Sequence, residues 1–488
     1  MGIIARQSIY NVVSIAFGLL LGALNTLYLY PTYLGKEFQG IIIALLAYSN
    51  IIQPFISMGL QHALIKFYSL CKTKQERDRL LWFSILIPLV MVLIFLPVLL
   101  SNKEVLLAYL SNTNSEMGRY AYLILIISIS CAYFEVFYSW VRVQFKTIFG
   151  NFLKEFYPRF LIFTLLIIYA FGGLSIDGFM LFLIVGYYIR LAIIIGYSLW
   201  VYRPTFECYL PEQWKSIMRY SFMIFMAGAA ASFILDIDKS MISNLIEVEN
   251  VAFYAVALFI SSVVETPGRA VFQIISPMVA NAINSDDYSR LKDLLKESSI
   301  NILIISSLIF LVINLNLNEF YQLINLSGYE AGIGVVLVVS VGRLFSMSLG
   351  CLNTIITNSK YYRYVLWFSI SNAIMAVVLN LYFIQLHGIM GAAYASLIVL
   401  VIHNLLKIVL IFKVYHLHPF GIKTIYILLT LLAVYAIVYY LPVLTTAPFW
   451  MIVIKTVIIV LLFSTAVLSF GFSENINTLY KKMLKKLF

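Results

Sequence analysis

Long apolar stretches separated by short polar segments run along the whole chain. A membrane-spanning helix needs roughly 20 mainly apolar residues, because each residue adds about 1.5 Å across a hydrocarbon core about 30 Å thick. The pattern therefore predicts an all-α polytopic membrane protein with about 14 transmembrane helices, of which the fifth is short and should begin before Pro158. The predicted spans are residues 9–30, 38–60, 81–100, 119–140, 159–172, 178–200, 219–236, 250–275, 299–317, 330–352, 364–386, 389–411, 424–441 and 449–470.

The composition also indicates a lipid environment. Of the 488 residues, 62% are hydrophobic and 11% are charged, whereas a soluble domain is about 45–50% apolar and about 25% charged. This excludes a water-soluble globule, and the apolar content is too high for a disordered chain. The four cysteines form no CxxC pair and no spacing typical of a metal site or disulfide framework, so we interpret them as buried apolar residues: Cys71, Cys131, Cys208 and Cys351.

The chain has a net charge of +11, and the distribution of its basic residues predicts the orientation of the chain. In a soluble protein this charge would suggest nucleic acid, but in a membrane protein the excess usually lies in cytoplasmic loops. With the N-terminus taken as cytoplasmic, 25 of the 33 Lys and Arg residues fall inside, 5 fall outside, and three lie within spans, namely Arg190, Arg269 and Arg343. We therefore expect both termini in the cytoplasm and no nucleic-acid partner.

The polar segments between the spans are short. None much exceeds about 20 residues, which leaves no room for a soluble catalytic or receptor domain. The charged segments 72–80 and 286–297 are interpreted as short amphipathic helices on the cytoplasmic surface. The function must therefore be carried out within the membrane.

An internal repeat emerges when the chain is shifted against itself by 213 residues. The shift places Arg6 on Arg219 and Pro54 on Pro267, and the basic cytoplasmic loops recur at the same offset. Repeats of this kind commonly build transporters, with the substrate site between the halves. The predicted domains are two pseudo-symmetric six-helix lobes at 1–213 and 214–426, followed by helices 13 and 14 with a basic tail at 427–488.

The opening of the chain has a distinctive arrangement over residues 6–60. A first helix carrying scattered polar residues ends at a Leu-Gly-x-x-x-x-Gly turn formed by Leu34, Gly35 and Gly40, and a second helix ends near Gly59. Two later stretches, 236–257 and 358–401, add further features, and the second contains a Gly-Ile-x-Gly-Ala-Ala sequence that opens helix 12.

Together these stretches resemble the polysaccharide-flippase (Wzx-type) branch of the multidrug/oligosaccharidyl-lipid/polysaccharide exporter superfamily. The resemblance implies two six-helix lobes around a cavity that opens to one membrane face at a time. It implies a transporter, not an enzyme, that moves undecaprenyl-diphosphate-linked oligosaccharide to the outer leaflet for O-antigen or capsule synthesis. The fourteen helices also resemble lipid II flippases, in which the extra pair helps to hold the lipid tail.

The resemblance further implies a location and partners. The protein would lie in the bacterial inner membrane and contact its lipids, a lipid-linked oligosaccharide and, as pathway partners, a polysaccharide polymerase and a chain-length regulator. Relatives couple export to an inward flow of H+ or Na+, so one of these ions is expected as an antiport partner. No cofactor or metal is expected, and the chain has no HExxH, P-loop or GxSxG motif.

Basic residues in or near the spans are the candidates for binding a diphosphate. An Arg at a helix centre costs about 2.5–3.5 kcal/mol on insertion, so such residues should face a polar interior, where guanidinium groups pair with phosphate oxygens. An alternative is that carboxylates neutralise them, Glu265 serving Arg269 and Glu135 serving Arg190, while those at helix ends extend to the interface. The candidate substrate-binding residues are Arg269, Arg343, Arg190, Lys66, Arg142 and Lys239.

Acidic residues in the spans are the candidates for ion coupling, because intramembrane carboxylates are typical of proton relays. Asp236 and Asp238 cannot share one helix face, so at least one should point to solvent or a loop, and a solvated helix end beside Lys239 is the alternative. The ion-coupling candidates are Asp236, Glu265, Glu135 and Asp238.

Four alternative functions share parts of the pattern. A multidrug exporter or a lipid II exporter of the same superfamily would share the architecture, although organic cations call for an acidic cavity. A membrane-embedded glycan acyltransferase would use His403 with a second polar group. A polysaccharide polymerase would need a long outside loop, which this sequence lacks.

Overall fold

In the computed structural model, the described part of the chain folds into helices joined by short connections. It describes residues 17–144, 146–206, 209–324, 326, 328–361, 363–442, 445 and 447–473, without the side chains of Ala227, Ala231, Ala270 and Gln273. Arg6, Cys208 and the basic tail at 481–486 lie outside the described residues. Two compact units meet inside one helix, unit 1 ending at Ala255 and unit 2 beginning at Val256.

Twelve helices begin in unit 1, the first of which is a π-helical segment preceded by helical residues 17–24. They are α1 (Asn25–Leu34), α2 (Gly35–Ser57), α3 (Leu60–Tyr68), α4 (Lys74–Ser101), α5 (Lys103–Leu110), α6 (Ser115–Arg119), α7 (Tyr122–Val143), α8 (Thr147–Glu155), α9 (Tyr157–Ala170), α10 (Ile176–Val201), α11 (Trp214–Leu245) and α12 (Glu249–Ser262).

Nine helices follow in unit 2, after a short 3-10 turn at Val263–Glu265. They are α13 (Thr266–Asn284), α14 (Tyr288–Leu315), α15 (Leu317–Leu323), α16 (Ile333–Ser348), α17 (Leu352–Asn358), α18 (Arg363–His387), α19 (Ile389–Tyr415), α20 (Ile422–Tyr439) and α21 (Pro448–Ser469).

The predicted fold class is confirmed, and each predicted span overlaps a helix. Within the described residues, eleven helices are long and apolar enough to cross a membrane, and α11 makes twelve if its two halves, bent by 43° near Ala231, count as one span. The stretch Phe17–Ser57 is one of the eleven, but its 41 residues are about twice the length that one span needs. Gly35 has a positive φ of 79°, and this turn separates two consecutive spans. The short fifth span is α9, which begins at Tyr157.

The interpretation of the two charged segments as separate surface helices is wrong. Segments 72–80 and 286–297 are not separate helices, because most of each forms the first turns of α4 and α14. Asp78, in the first of these turns, is fully buried and accepts hydrogen bonds from the Tyr202 hydroxyl at 2.6 Å and the Thr205 hydroxyl at 2.6 Å. Burial and the bond to Asp78 raise the pKa of Tyr202. A carboxylate with this network ties α4 to the segment after α10, which a surface helix would not do.

Helix α7 is the centre of unit 1 and packs against α2, α3 and α10. Small polar side chains let α2 and α7 approach each other closely. The Ser49 hydroxyl donates to the Ile124 carbonyl at 3.1 Å, and the Ser128 hydroxyl donates to the Ser49 carbonyl at 3.1 Å. Helix α11 lies along α2, so the polar face of α2 is enclosed between two neighbours.

Helix α14 has the same central place in unit 2 and packs against α13, α16, α20 and α21. The two last helices are held to it by apolar burial, which contributes roughly 1.5–3 kcal/mol per fully buried large side chain. This cluster includes Leu303, Leu311, Ile427, Leu431, Ile459 and Phe463. The predicted lobes, 1–213 and 214–426 with 427–488, stay a prediction.

The Gly-Ile-x-Gly-Ala-Ala sequence has a packing explanation. Gly388 has a positive φ of 58° at the turn between α18 and α19. A Cβ atom on Gly391 would lie 1.9 Å from the carbonyl oxygen of Phe383, so any larger residue would push the two helices apart. These glycines therefore permit the tight antiparallel pair that α18 and α19 form.

Candidate substrate site

A cavity of about 210 Å3 lies in unit 1 where α2, α3, α7, α8 and α11 converge. Helix α11 lines it with a single face, because residues spaced by three and four positions fall one above another on a helix. This face consists of Ile224, Phe225, Gly228, Ala229 and Ser232. The other walls are Gln53, Pro54, Gly59, Gln61, His62, Glu135, Arg142 and Lys154.

Three charged side chains give the cavity its character. Glu135 and Arg142 are two turns apart on α7, and the Lys154 ammonium reaches in from α8 to lie 2.7 Å from the Glu135 carboxylate. Arg142 is exposed and has no carboxylate within 4.0 Å among the described residues. The charged residues of the cavity thus comprise two cations and one carboxylate, an excess of positive charge.

The polar neutral groups suit the same kind of ligand. Gln53, Gln61 and His62 line the cavity beside the charges, and each can hydrogen-bond to an oxygen-rich group. A phosphate group accepts bidentate hydrogen bonds from a guanidinium, and it is attracted to the compact positive charge of an ammonium. The arrangement is therefore that of an anion site, and the excess positive charge disfavours organic cations.

Two other predicted basic residues of unit 1 lie elsewhere. The Lys66 ammonium lies 3.8 Å from the centre of the Tyr220 ring, a cation–π contact outside the cavity walls. Arg190 is buried, donates to the Cys131 sulfur at 3.3 Å and lies over the Phe134 ring at 4.3 Å. Arg190 is therefore held by aromatic and sulfur contacts.

The predicted pairing of Glu135 with Arg190 is wrong. The Glu135 carboxylate pairs with Lys154 of α8 instead. Sequence reasoning missed Lys154, because a lysine after α7 looks like any other basic residue of a cytoplasmic loop. Its signal is weak: only the short amphipathic segment Thr147–Glu155 hints that this loop folds back onto α7.

The acidic pair of α11 is also arranged differently from the prediction. Neither carboxylate points to solvent. Helix α11 continues beyond both residues to Leu245, and both side chains are buried. Asp236 pairs with Lys239 at 2.6 Å and accepts a hydrogen bond from the Asn50 amide at 3.0 Å. Asp238 faces the other way and accepts a hydrogen bond from the Tyr254 hydroxyl at 2.7 Å. Asp236 thereby connects α11 to α2.

Unit 2 contains the remaining predicted charges in one cluster. The 3-10 turn that ends at Glu265 directs its carboxylate toward Arg343 of α16, with 3.0 Å between the groups. Arg269 lies 3.7 Å from the same carboxylate. Sequence reasoning proposed only the pairing with Arg269, because local spacing suggests neighbours on one helix and says nothing about α16.

A further ion pair of unit 2 was missed altogether. The Lys455 ammonium of α21 contacts the Glu319 carboxylate of α15. His403, the residue of the acyltransferase alternative, packs edge-on against Phe368, and its Nδ1 has no hydrogen-bond partner in the described part of the chain. A catalytic imidazole is normally oriented by such a partner.

The chain is similar to one known protein family and to solved structures of membrane transport proteins. The family described as "Polysaccharide biosynthesis protein" matches residues 4–283, more than half of the chain. No curated protein matches the chain. The fold is similar to the lipid II flippase MurJ in its inward closed conformation, with a TM-score of 0.74, 18% identity, and 96% of this chain and 98% of that chain covered.

It is also similar to a MATE-family multidrug resistance transporter of the MOP superfamily in an inward-facing conformation. That comparison has a TM-score of 0.58 at 14% identity and covers 82% of this chain and 93% of that chain. By their names, these two solved structures are a flippase and a transporter. At these identities, the likeness shows the fold.

Proposed function

The chain belongs to the polysaccharide biosynthesis protein family, and from this premise we propose that it is a flippase for polyprenyl-diphosphate-linked oligosaccharide. It moves this lipid from the cytoplasmic to the outer leaflet by alternating access, in the synthesis of a cell-surface polysaccharide such as O-antigen or capsule. Its fold, which is similar to that of a flippase and a transporter, supports the proposal.

The observation that carries the proposal is the positive cavity of unit 1. Arg142 and Lys154 lie at the ends of α7 and α8 that the distribution of basic residues predicts to be cytoplasmic. A lipid diphosphate presented from that leaflet would exchange its water for these two cations and the neighbouring amides. The cavity volume of about 210 Å3 suits the charged headgroup and not a whole oligosaccharide.

Glu135 acts in this proposal as the internal counter-ion that the ligand replaces. Its carboxylate holds the Lys154 ammonium at 2.7 Å, which keeps that cation positioned and limits its binding to other anions. A diphosphate, with more negative charge than one carboxylate, displaces Glu135 from Lys154. Substrate binding thus exchanges one ion pair for another near the mouth of the cavity. The desolvation cost for the charged groups is smaller there than it would be if they were fully buried.

We place the coupling to H+ or Na+ at Asp236. Its carboxylate is buried and connects α11 to α2 through Asn50 and to Lys239 on its own helix. Neutralising this charge with a bound cation weakens both contacts and frees the bent helix α11 to move against α2. Transport by an Asp236→Asn variant would then lose its dependence on the ion gradient.

The test is transport in proteoliposomes loaded with a polyprenyl-diphosphate-linked oligosaccharide. A membrane-impermeant glycosidase reports how much glycan reaches the opposite leaflet. We expect protein-dependent transfer, and a loss of roughly 100-fold or more for Arg142→Gln with Lys154→Gln, because each charge-assisted bond contributes about 1.5–3 kcal/mol. Lys146→Gln removes an exposed charge from the same loop outside the cavity and should transport normally.

Lipid II export is the second candidate, favoured by the structural match that includes α20 and α21 through its coverage of 96% of this chain. A parallel assay with lipid II distinguishes the two substrates by their relative rates. Transfer of organic cations, with neither lipid moved, would contradict the flippase proposal and favour the multidrug alternative.

A further inference from the structure

A second cavity, of about 400 Å3, lies in unit 2 and is separate from the walls of the unit 1 cavity. It is formed by the third and fourth turns of α14, the connection between α19 and α20 with the start of α20, and the segment that follows α21. Its walls are Lys296, Glu297, Ile300, Asn301, Pro419, Gly421, Ile422, Lys423, Phe472 and Ser473. These three elements lie at the ends of their spans, and the distribution of basic residues predicts that these ends are cytoplasmic.

The polar part of this cavity favours an anion. Lys296 and Lys423 line it from two different helices, and neither ammonium has a carboxylate within 4.0 Å in the part of the chain that the structure describes. Glu297 is the only acidic residue among the lining residues. Asn301 adds an amide and accepts a hydrogen bond from the Ser473 hydroxyl at 2.6 Å.

The start of α20 contributes to the same charge. Gly421 is the N-cap residue and has no side chain that could accept from the first amide groups of the helix. The N-terminus of an 18-residue helix carries a partial positive charge, although the Gly421 N–H donates to the Thr424 hydroxyl at 3.2 Å and the Thr424 N–H donates to the Gly421 carbonyl at 3.0 Å. Gly421 and the two lysines line one cavity, so the partial charge of the helix end adds to the charge of the lysines.

The apolar part of the cavity indicates a ligand that is also a lipid. Ile300, Ile422 and Phe472 line it beside the lysines, and α20 and α21 are spans. A free phosphate ion would gain nothing from this apolar wall, whereas a phospholipid places its phosphate at the height of the lysines and its acyl chains along the helices. We propose that this cavity binds the phosphate of an anionic membrane phospholipid.

Another occupant would be the segment that follows Ser473. That segment, residues 474–488, carries four lysines and one glutamate, so like charges oppose its entry between Lys296 and Lys423. An anionic phospholipid is complementary to the same charges. The site is therefore assigned to the lipid, and this assignment does not rest on the proposed transport function.

The test uses the full-length protein in nanodiscs of phosphatidylcholine, with phosphatidylglycerol added stepwise. Native mass spectrometry counts the phosphatidylglycerol molecules that stay bound. We expect one tightly retained molecule in the original protein. In the double variant Lys296→Ala with Lys423→Ala, retention of the lipid should be weaker by roughly tenfold or more, because each lysine near an anionic lipid contributes to the binding energy. Ile300→Trp, which fills the cavity without changing its charge, should also release the lipid.

Matched controls make the result specific. Lys360→Ala with Lys413→Ala removes two exposed lysines from the same predicted side and should retain the lipid, as should Lys423→Arg. Equal retention by the cavity variants and by the original protein would overturn the proposal. Release by inorganic phosphate at concentrations comparable to the lipid would also overturn it, because it would identify a site for a soluble anion.

Discussion

The two units of this protein contain charge clusters of the same net charge and different geometry. Each combines one glutamate with two cations: Glu135 with Arg142 and Lys154 in unit 1, and Glu265 with Arg269 and Arg343 in unit 2. In unit 1 the glutamate holds only the lysine and the cations line a cavity. In unit 2 the glutamate lies between both arginines and joins α13 to α16.

The difference shows that a charge inside a membrane protein has no fixed role. In unit 1 both cations are accessible, with 40% of the Lys154 side chain exposed, whereas in unit 2 Arg269 is 58% exposed but the paired Arg343 side chain is only 17% exposed. An enclosed and neutralised pair stabilises helix packing, because removing one partner leaves an unpaired charge. An accessible excess charge is available to a ligand. The comparison therefore separates stability from binding.

The largest effect should come from neutralising the glutamate of unit 2. Glu265→Gln leaves Arg343 without this counter-ion in a mostly buried position, and we expect destabilisation of about 2 kcal/mol. Thermal unfolding in nanodiscs measures it. The matched variant Glu135→Gln should cost less than about 0.5 kcal/mol, because its lysine partner is exposed. Equal costs would remove the distinction between the clusters.

The second effect tests the cavity through its shape. Gly228 lines the cavity and no atom lies within 4 Å of where its Cβ would be, so Gly228→Leu fills the space while keeping every charge. We expect transport of the lipid-linked glycan to fall roughly tenfold or more. Gly196→Leu on α10 also has open space and lies outside the cavity, so its transport should be normal. An unimpaired Gly228→Leu would place the substrate elsewhere.

A smaller effect is expected for ligand affinity at the unit 1 cluster. Glu135→Gln removes the carboxylate that competes for Lys154, so pyrophosphate should bind about fivefold more tightly, a gain comparable to one modest charge interaction. Titration calorimetry of the protein in phosphatidylcholine nanodiscs measures this change. Weaker binding would show that Glu135 positions the ligand and does not compete with it.

The smallest effect should come from Arg269. Its side chain is 58% exposed and lies 3.7 Å from Glu265, so Arg269→Gln should change stability by no more than about 0.5 kcal/mol. Arg343→Gln should cost more, because its contact is shorter and more enclosed. A large loss of glycan transport in either variant, with stability unchanged, would mean that unit 2 also binds substrate.

Much of the fold could be predicted from local sequence. Each span overlaps a helix because spanning requires a fixed length of apolar residues, and that length is visible in any window of the chain. The resemblance to a polysaccharide-synthesis family is likewise confirmed by the family match over residues 4–283. The segments at 72–80 and 286–297 were misjudged because nothing local shows whether a charged turn continues into the next span.

The candidate site was predicted less well, for a reason that its residues illustrate. Local sequence indicates Arg142 and Glu135 as candidates, but it does not indicate their shared cavity or the lysine that pairs with Glu135. Lys154 lies on a different helix, and its approach to Glu135 depends on how α8 folds back against α7. The surroundings of Asp236 and Asp238 likewise depend on where α11 ends, at Leu245, which residue spacing alone does not indicate.

The amino-acid sequence by itself determined that this protein spans a membrane many times, which way its basic loops are expected to face, and which family it resembles. The first two properties follow from composition, periodicity and the placement of basic residues, and the resemblance follows from short sequence stretches, all of which are local. Only the tertiary structure decided which charges meet, because ion pairing across helices depends on how each helix is rotated about its axis and on the few ångströms that separate neighbouring faces.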